Sequence, residues 1–129
     1  MPRYRVSTRG AAFAAALFLA PCIPAAAADA VAGGKVFATE CGECHSVKEG
    51  KDKKGPSLFG IVGAKAAQRE GFAYSDALRA AGITWTPDRI DAYLAAPKKV
   101  VPGGKMKYDG LADAHQREDL IAWLASATR

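Results

Sequence analysis

The chain has 129 residues, with 18 Lys or Arg against 13 Asp or Glu and a net charge of +5, which is room for one domain behind a leader. Removing Arg3, Arg5 and Arg9 at its start takes that charge from +5 to +2. The isoelectric point of about 9.2 therefore overstates how basic the working protein is, and nucleic-acid binding has no support.

In chain order, residues 1–28 come first and read as a secretory signal peptide. The three arginines give a basic start, Ala11 to Ala20 is an unbroken apolar run, and Pro21 and Pro24 break it before Ala26-Ala27-Ala28. This is the three-part order of a secreted chain's leader. Cleavage after Ala28 leaves a 29–129 domain. Cleavage after Ala30 and an uncleaved anchor are the alternatives, although the apolar run is short for a bilayer span. Cys22 follows Pro21, where a lipoprotein signal would carry a small residue, so it reads as an ordinary leader residue. The expected address is the periplasm, with no stable membrane insertion after cleavage.

The first predicted helix runs from Ala30 to Gly42 and places Gly33 or Gly34, Phe37 and Cys41 on one face. A short helical piece spans Tyr74 to Ala80 and ends before Gly82. The next helix has Thr86 as N-cap and Pro87 at its first position; it gathers Ile90, Tyr93 and Leu94 and stops at Pro97. The last follows Asp113 and carries Arg117, Leu120, Ile121, Trp123 and Leu124 as an amphipathic stripe. No stretch alternates with a period of two, so the fold class is all-α. Between Ser46 and Ala73, Gly50, Gly55, Pro56, Gly60, Gly63 and Gly71 divide a long loop. A loop of that length argues against a compact domain unless it packs on a cofactor.

Cys41-Gly42-Glu43-Cys44-His45 supplies the cofactor. Two thiols three residues apart, with an imidazole directly after the second, is the spacing that holds a c-type haem. On a helical turn both sulfurs share a face and can each close a thioether bond to a vinyl group, while His45 turns to the iron. A thioredoxin-like pair would need a strand before it, and Ala32 to Glu40 reads as helix. A structural zinc needs four Cys or His ligands, and only His115 and Cys22 lie outside the motif. A plain disulfide would leave His45 unexplained.

The second axial position decides between a carrier and a haem that binds or activates a small molecule. Met1 belongs to the leader, so Met106 is the one methionine of the mature chain. It sits in a turn-rich Pro102-Gly103-Gly104-Lys105-Met106-Lys107 loop, where flanking lysines suit a core filler poorly. His115, among Asp113, Gln116, Arg117 and Glu118, looks solvated.

Gly33-x-x-x-Phe37-x-x-x-Cys41-x-x-Cys44-His45, Gly55-Pro56-x-Leu58, Gly71-Phe72-x-Tyr74-Ser75, Gly82-Ile83-Thr84-Trp85, Tyr93-Leu94-x-x-Pro97, Pro102-Gly103-x-Lys105-Met106 and Arg117-x-Asp119-Leu120 together resemble the class I cytochromes c in order and spacing, over essentially the whole mature chain. The resemblance implies the small soluble mono-haem fold of the mitochondrial and bacterial carriers, with three main helices, a short one and long loops around one haem c held through Cys41 and Cys44. It also implies that the Pro56 carbonyl accepts the Nδ1 proton of His45, that Tyr74 and Trp85 bond a haem propionate, and that Tyr93 lies near the Met106 sulfur. Phe37 and Trp123 would pack together, with Gly33 allowing a close approach. Ala64 stands where many mitochondrial relatives carry an arginine near the propionates, which leaves that role to Lys65 or Arg69 or to neither. Leu78 replaces a haem-pocket amide and Gly104 a hydroxyl residue of the methionine loop.

The expected function is a monomeric, single-electron carrier with His45/Met106 ligation and no substrate of its own. Its partners would be redox complexes: a bc-type complex, a terminal oxidase, a reaction centre or a dehydrogenase. Lys48, Lys51, Lys53, Lys54, Lys98, Lys99, Lys105 and Lys107 would border the haem edge and steer an acidic partner. A haem protein with an exchangeable iron site, peroxidase-like or gas-binding, is the alternative.

Overall fold

The computed structural model describes Met1, Pro2 and residues 26–129. The leader's basic start, apolar run and Cys22 lie outside the described residues. Five α-helices follow in the order α1 Ala30–Val36, α2 Asp76–Ala80, α3 Pro87–Ala95, α4 Pro97–Val100 and α5 Ala114–Ala127, with a π-helical turn, Phe37–Cys41, continuing α1. A single antiparallel bridge, Lys65 to Thr84, is the only strand-like pairing among the described residues. The fold is all-α, as the periodicity indicated.

Side-chain caps set the helix starts. The Asp29 carboxylate accepts from the Val31 and Ala32 amides at 2.8 and 3.1 Å, and Asp113 accepts from His115 and Gln116 at 2.9 and 3.2 Å, so orphan donors of the first turn find partners. Ser75 Oγ accepts from Leu78 at 3.1 Å, which starts α2 two residues later than the sequence suggested. Pro97 ends α3 as expected, yet it also opens α4, because a residue without an N–H and with a fixed φ suits the first turn of a new helix. Beyond Val36 the ladder widens, and Gly42 N donates to Phe37 O at 2.7 Å, a reach of five residues. Such π turns frequently mark functional sites; this one delivers Cys41.

The crossing of α1 and α5 forms the first core. Gly33 is buried there, and a Cβ added to it would stand 1.9 Å from the Asp119 main-chain oxygen, so only glycine permits this approach. Phe37 meets Trp123 with ring centroids 4.6 Å apart, and Leu111, Leu120 and Leu124 complete the cluster. Leu120 is 1 % exposed, and full burial of such a side chain stabilises by about 1.5–3 kcal/mol. A second cluster gathers Ala66, Trp85 and Ile90. Val62 and Leu94 touch both, which makes the two cores continuous.

Arg117 ties the helices to the returning loop. Its guanidinium donates to Asp91 at 2.7 Å and to the carbonyls of Leu111 and Ala112 at 2.8 and 2.9 Å. The amphipathic pattern had placed this residue on the apolar stripe. Its stem does lie inward, with 12 % of the side chain exposed, while the charged end is spent on the segment that follows Met106.

Candidate haem site

Cys41 and Cys44 are both free and half-buried. Burial first, then the charges of Glu40 and Cys44, push the Cys41 thiol up to about 11, so it stays a neutral thiol at ordinary pH. His45 N and Cys44 N both donate to Cys41 O, at 2.9 and 3.1 Å, and this tight turn presents the two sulfurs and the imidazole together.

The His45 ring is aimed by the loop behind it. Nδ1 donates to the Pro56 carbonyl at 2.7 Å. Burial lowers the pKa of His45 against the opposing effect of that bond, and the Lys53 charge adds to the lowering. The imidazole is thus neutral, with its proton on Nδ1 and a lone pair free on Nε2 for a metal. Pro56 is held in turn: Gly55 N donates to Cys44 O at 2.8 Å and Leu58 N to Ser46 O at 2.8 Å, while Ser57 N donates to Asp52 at 2.8 Å and its hydroxyl to Lys48 O at 2.6 Å. A Cβ on Gly55 would fall 2.5 Å from the His45 ring, so this position has no room for a side chain.

Met106 is half-buried, and the Tyr93 hydroxyl donates to its Sδ at 3.9 Å. Burial raises the Tyr93 pKa, which keeps the phenol protonated and able to donate. Tyr93 leans on Trp85 with centroids 5.0 Å apart. A cavity of about 30 Å³ beside the sulfur is lined by Tyr93, Pro97, Val101, Gly104 and Met106 among others, room for about one water. The space lies where Gly104 brings no side chain.

Trp85 is buried, and the segment carrying it is laced to the loop: Trp85 N donates to Ala64 O and Gly63 N to Trp85 O, each at 2.8 Å. Tyr74 packs edge-on against Phe72 at 4.9 Å, and its hydroxyl meets the Arg69 main chain. Of the two candidates to replace the arginine absent at Ala64, Lys65 is exposed and Arg69 half-buried. Arg69 Nε stands 2.9 Å from Asp52, yet it is buried and its N–H is not aligned on any acceptor. Half-buried and close to Tyr74, Arg69 suits an anionic cofactor edge better than the exposed Lys65.

Three arrangements escaped the sequence. Tyr108 donates to Glu40 at 2.8 Å, clipping the segment after Met106 to the turn before Cys41; Asp52 supports Pro56 through Ser57; and Arg117 anchors the loop return. Two lysines of the expected face are paired to carboxylates, and two more reach main-chain carbonyls while keeping their charge. Lys54 pairs with Glu43 and Lys98 with Asp109, Lys53 donates to Gly42 O, and Lys105 donates to Ala73 O at 3.1 Å. His115, with 88 % of its side chain exposed and Glu118 at 3.8 Å, has the solvated surroundings anticipated for it. Among the described residues no group of three or more His, Cys, Asp or Glu could hold a metal ion by themselves.

Paired free thiols, an imidazole with its Nε2 open, and a thioether steadied by a phenol form a donor set that fits a covalently attached haem. Comparison with known proteins points the same way. The family model described as Cytochrome c matches residues 30–128. The cytochrome c of Gibberella zeae is 44 % identical over 105 residues, covering 81 % of this chain and 99 % of the relative. The cytochrome c2 of Rhodopila globiformis is 45 % identical over 96 residues, covering 74 % of this chain and 91 % of its own length. The solved structure of cytochrome cH from Methylobacterium extorquens superposes with a TM-score of 0.71 at 45 % identity, over 76 % of this chain and 98 % of that one. The chain belongs to the cytochrome c family, as a class I mono-haem electron carrier and not an enzyme, and its Cys41 and Cys44 fit the motif by which the family holds one haem c.

Proposed function

We propose that this chain is a periplasmic carrier of single electrons, exported on residues 1–28, with His45 and Met106 as the axial ligands of its haem and with respiratory or photosynthetic redox complexes as its partners. The observation that carries this reading is that each of the two donors has a partner that orients it. His45 is oriented through Pro56 and the Met106 sulfur through Tyr93.

The bound haem supplies the Fe(III)/Fe(II) couple, and His/Met ligation favours a relatively high potential. The chain's own residues then have three tasks. Pro56 holds the Nδ1 proton and so leaves Nε2 as donor. Tyr93 keeps its proton and takes up one lone pair of the sulfur, leaving the other to bind and lowering the donor strength of the thioether. Trp85, Tyr74 and Arg69 offer donors toward the propionate edge, where an unpaired buried charge is costly.

Partner docking would use the lysines bordering the Met106 loop and the turn at Cys41. Because Lys54 and Lys98 are already paired to carboxylates, the field available for steering comes chiefly from Lys48, Lys51, Lys53, Lys99, Lys105 and Lys107. The rate of reduction by an acidic partner is expected to fall with rising salt, though less steeply than eight free lysines would give; a flat response would refute steering.

Visible spectroscopy of the oxidised protein tests the ligation. A closed His/Met site gives the weak long-wavelength band of a thioether–iron(III) bond, which Met106→Ala abolishes, and binds cyanide or carbon monoxide slowly at neutral pH. Absence of that band with ready uptake of either ligand would establish the exchangeable-iron alternative.

A further inference from the structure

The start of α1 carries a bond that the electron-carrier function leaves unexplained. Residues 26–29 are exposed and outside any helix, and Ala30 is the first helical residue. At that boundary the Asp29 backbone N donates to Asp119 Oδ1 at 2.6 Å, across 90 positions of sequence. The acceptor is a carboxylate oxygen, which makes this main-chain bond charge-assisted and leaves a negative charge facing the Asp29 nitrogen. Asp119 is also the residue whose main-chain oxygen Gly33 approaches, so the contact lies at the crossing of α1 and α5.

Hydrolysis of the Ala28–Asp29 peptide bond would change this nitrogen. Water supplies a hydroxyl to Ala28, which leaves as a carboxylate, and hydrogen to Asp29, whose nitrogen becomes an α-ammonium charged at neutral pH. A cation at the N-terminal end of a helix is normally unfavourable. Here the Asp119 carboxylate already faces that atom, and the Asp29 carboxylate accepts from Val31 and Ala32 just beyond it. A cut after Ala30 would instead remove the Asp29 cap, the bond from Gly33 N to Asp29 O at 2.9 Å and the Asp119 contact together.

We propose that the leader is cut between Ala28 and Asp29, and that the α-ammonium so created is a working part of the fold, ion-paired to Asp119 and fastening the start of α1 to α5. The proposal rests on the export reading above. It makes processing a step that completes the principal helix contact.

The test uses holoprotein purified from a bacterial periplasm after expression of the full chain with haem-attachment machinery. Intact mass should give Asp29 as first residue; any other mature start overturns the cut. Thermal unfolding is then compared in four chains: the mature protein and a version with Gly-Ser inserted after Ala28, each with and without Asp119→Asn, which keeps an acceptor oxygen. Asp119→Asn should lower Tm by about 2–6 °C in the mature chain and distinctly less in the extended one, whose nitrogen at Asp29 is again an amide. Equal losses in both backgrounds overturn the ion pair. A chain that retains its leader overturns the export reading itself, while the visible spectrum reports on the carrier reading independently.

Discussion

Replacing Gly33 by Ala tests whether the α1–α5 crossing holds the fold together. The new Cβ would lie 1.9 Å from Asp119 O, 2.4 Å from Asp119 C and 2.9 Å from Leu120 N. Carbon–oxygen contacts settle near 3.3 Å at closest, so the helices must separate by about 1.4 Å along that direction. All of the opposing atoms are backbone, and none can rotate away. A gap of 0.5–1 Å already forfeits a quarter to a half of each dispersion contact, and the losses fall on Leu120, on Leu124 and on the stacking of Phe37 with Trp123. Overpacking a core costs about 1–3 kcal/mol and occasionally more; exchanging Gly for Ala within a helix returns about 0.5–1 kcal/mol. Because the opposing atoms are backbone, the upper end of that cost applies, and the net expectation is a loss of about 2–2.5 kcal/mol, or roughly 8–20 °C in Tm for a domain of this size.

Guanidinium unfolding of the holoprotein, followed by far-ultraviolet circular dichroism and by Soret absorbance, measures this loss. Gly34→Ala is the control. Its Cβ would meet Trp123 Nε1 at 2.9 Å, a ring edge that can swing aside, and a change of about 1 kcal/mol or less is expected there. If Gly33→Ala unfolds within about 0.5 kcal/mol of the parent, or proves more stable than Gly34→Ala, the backbone contact does not govern stability and the reasoning fails.

Other expectations follow from single residues. Arg117→Leu strands two carbonyls and the Asp91 carboxylate, and should lower the unfolding free energy in urea by about 2–4 kcal/mol; a loss below about 0.5 kcal/mol would show that water replaces the guanidinium at no penalty. Tyr108→Phe removes the bond to Glu40 and should cost about 0.5–1.5 kcal/mol, with faster amide exchange at Lys107 and Asp109 and none of that acceleration in α3; unchanged exchange at those two amides would remove the clip from the account. For His45, burial holds the folded pKa below the ordinary 6.5, so below pH 6.5 the unfolded chain takes up a proton that the folded one rejects. Its contribution to stability is present above that pH and is lost as pH falls toward the depressed folded value. Urea midpoints measured down through this window should decline, and a midpoint insensitive to pH there would contradict the assignment of a neutral, buried imidazole.

Local signals carried much of the fold. Thr86 with Pro87, and Asp113 before an amphipathic run, placed the starts of α3 and α5 because capping chemistry is confined to neighbouring residues. The haem motif was legible for the same reason, and Met106 is proposed as a ligand because the sequence offers few other methionines. What stayed hidden is non-local or degenerate. A π turn at Phe37–Cys41 keeps nearly the face pattern of an α-helix, so periodicity cannot separate the two. Pro97 signals a stop and a start equally well, and α4 went unseen. Glu40 and Tyr108 stand 68 positions apart, and no spacing rule links them. Lys54 with Glu43, and Lys98 with Asp109, are each separated by 11 positions in sequence; loops close those pairs, so a count of lysines along the chain overstated the charge of the face.

The two proposed axial residues are supported unequally, and the inequality follows from their surroundings. His45 is held by a dense set of short bonds: Pro56 takes its Nδ1 proton, and Gly55, Ser57 and Leu58 fix Pro56 through Cys44, Asp52, Lys48 and Ser46. Met106 has one 3.9 Å bond from Tyr93, a preceding Gly103-Gly104 pair with open space beside it, and a clip at Tyr108 that lies near the surface. Gly103 has a φ of +83°, a conformation glycine adopts without strain and leaves at little cost. Local opening draws on the segments with the fewest buried contacts, so the methionine side should release before the histidine side does. The closed state proposed for the iron would therefore depend on Tyr93, Arg117 and the Tyr108–Glu40 bond more than on the attachment motif, which would fasten the haem whether or not Met106 is bound.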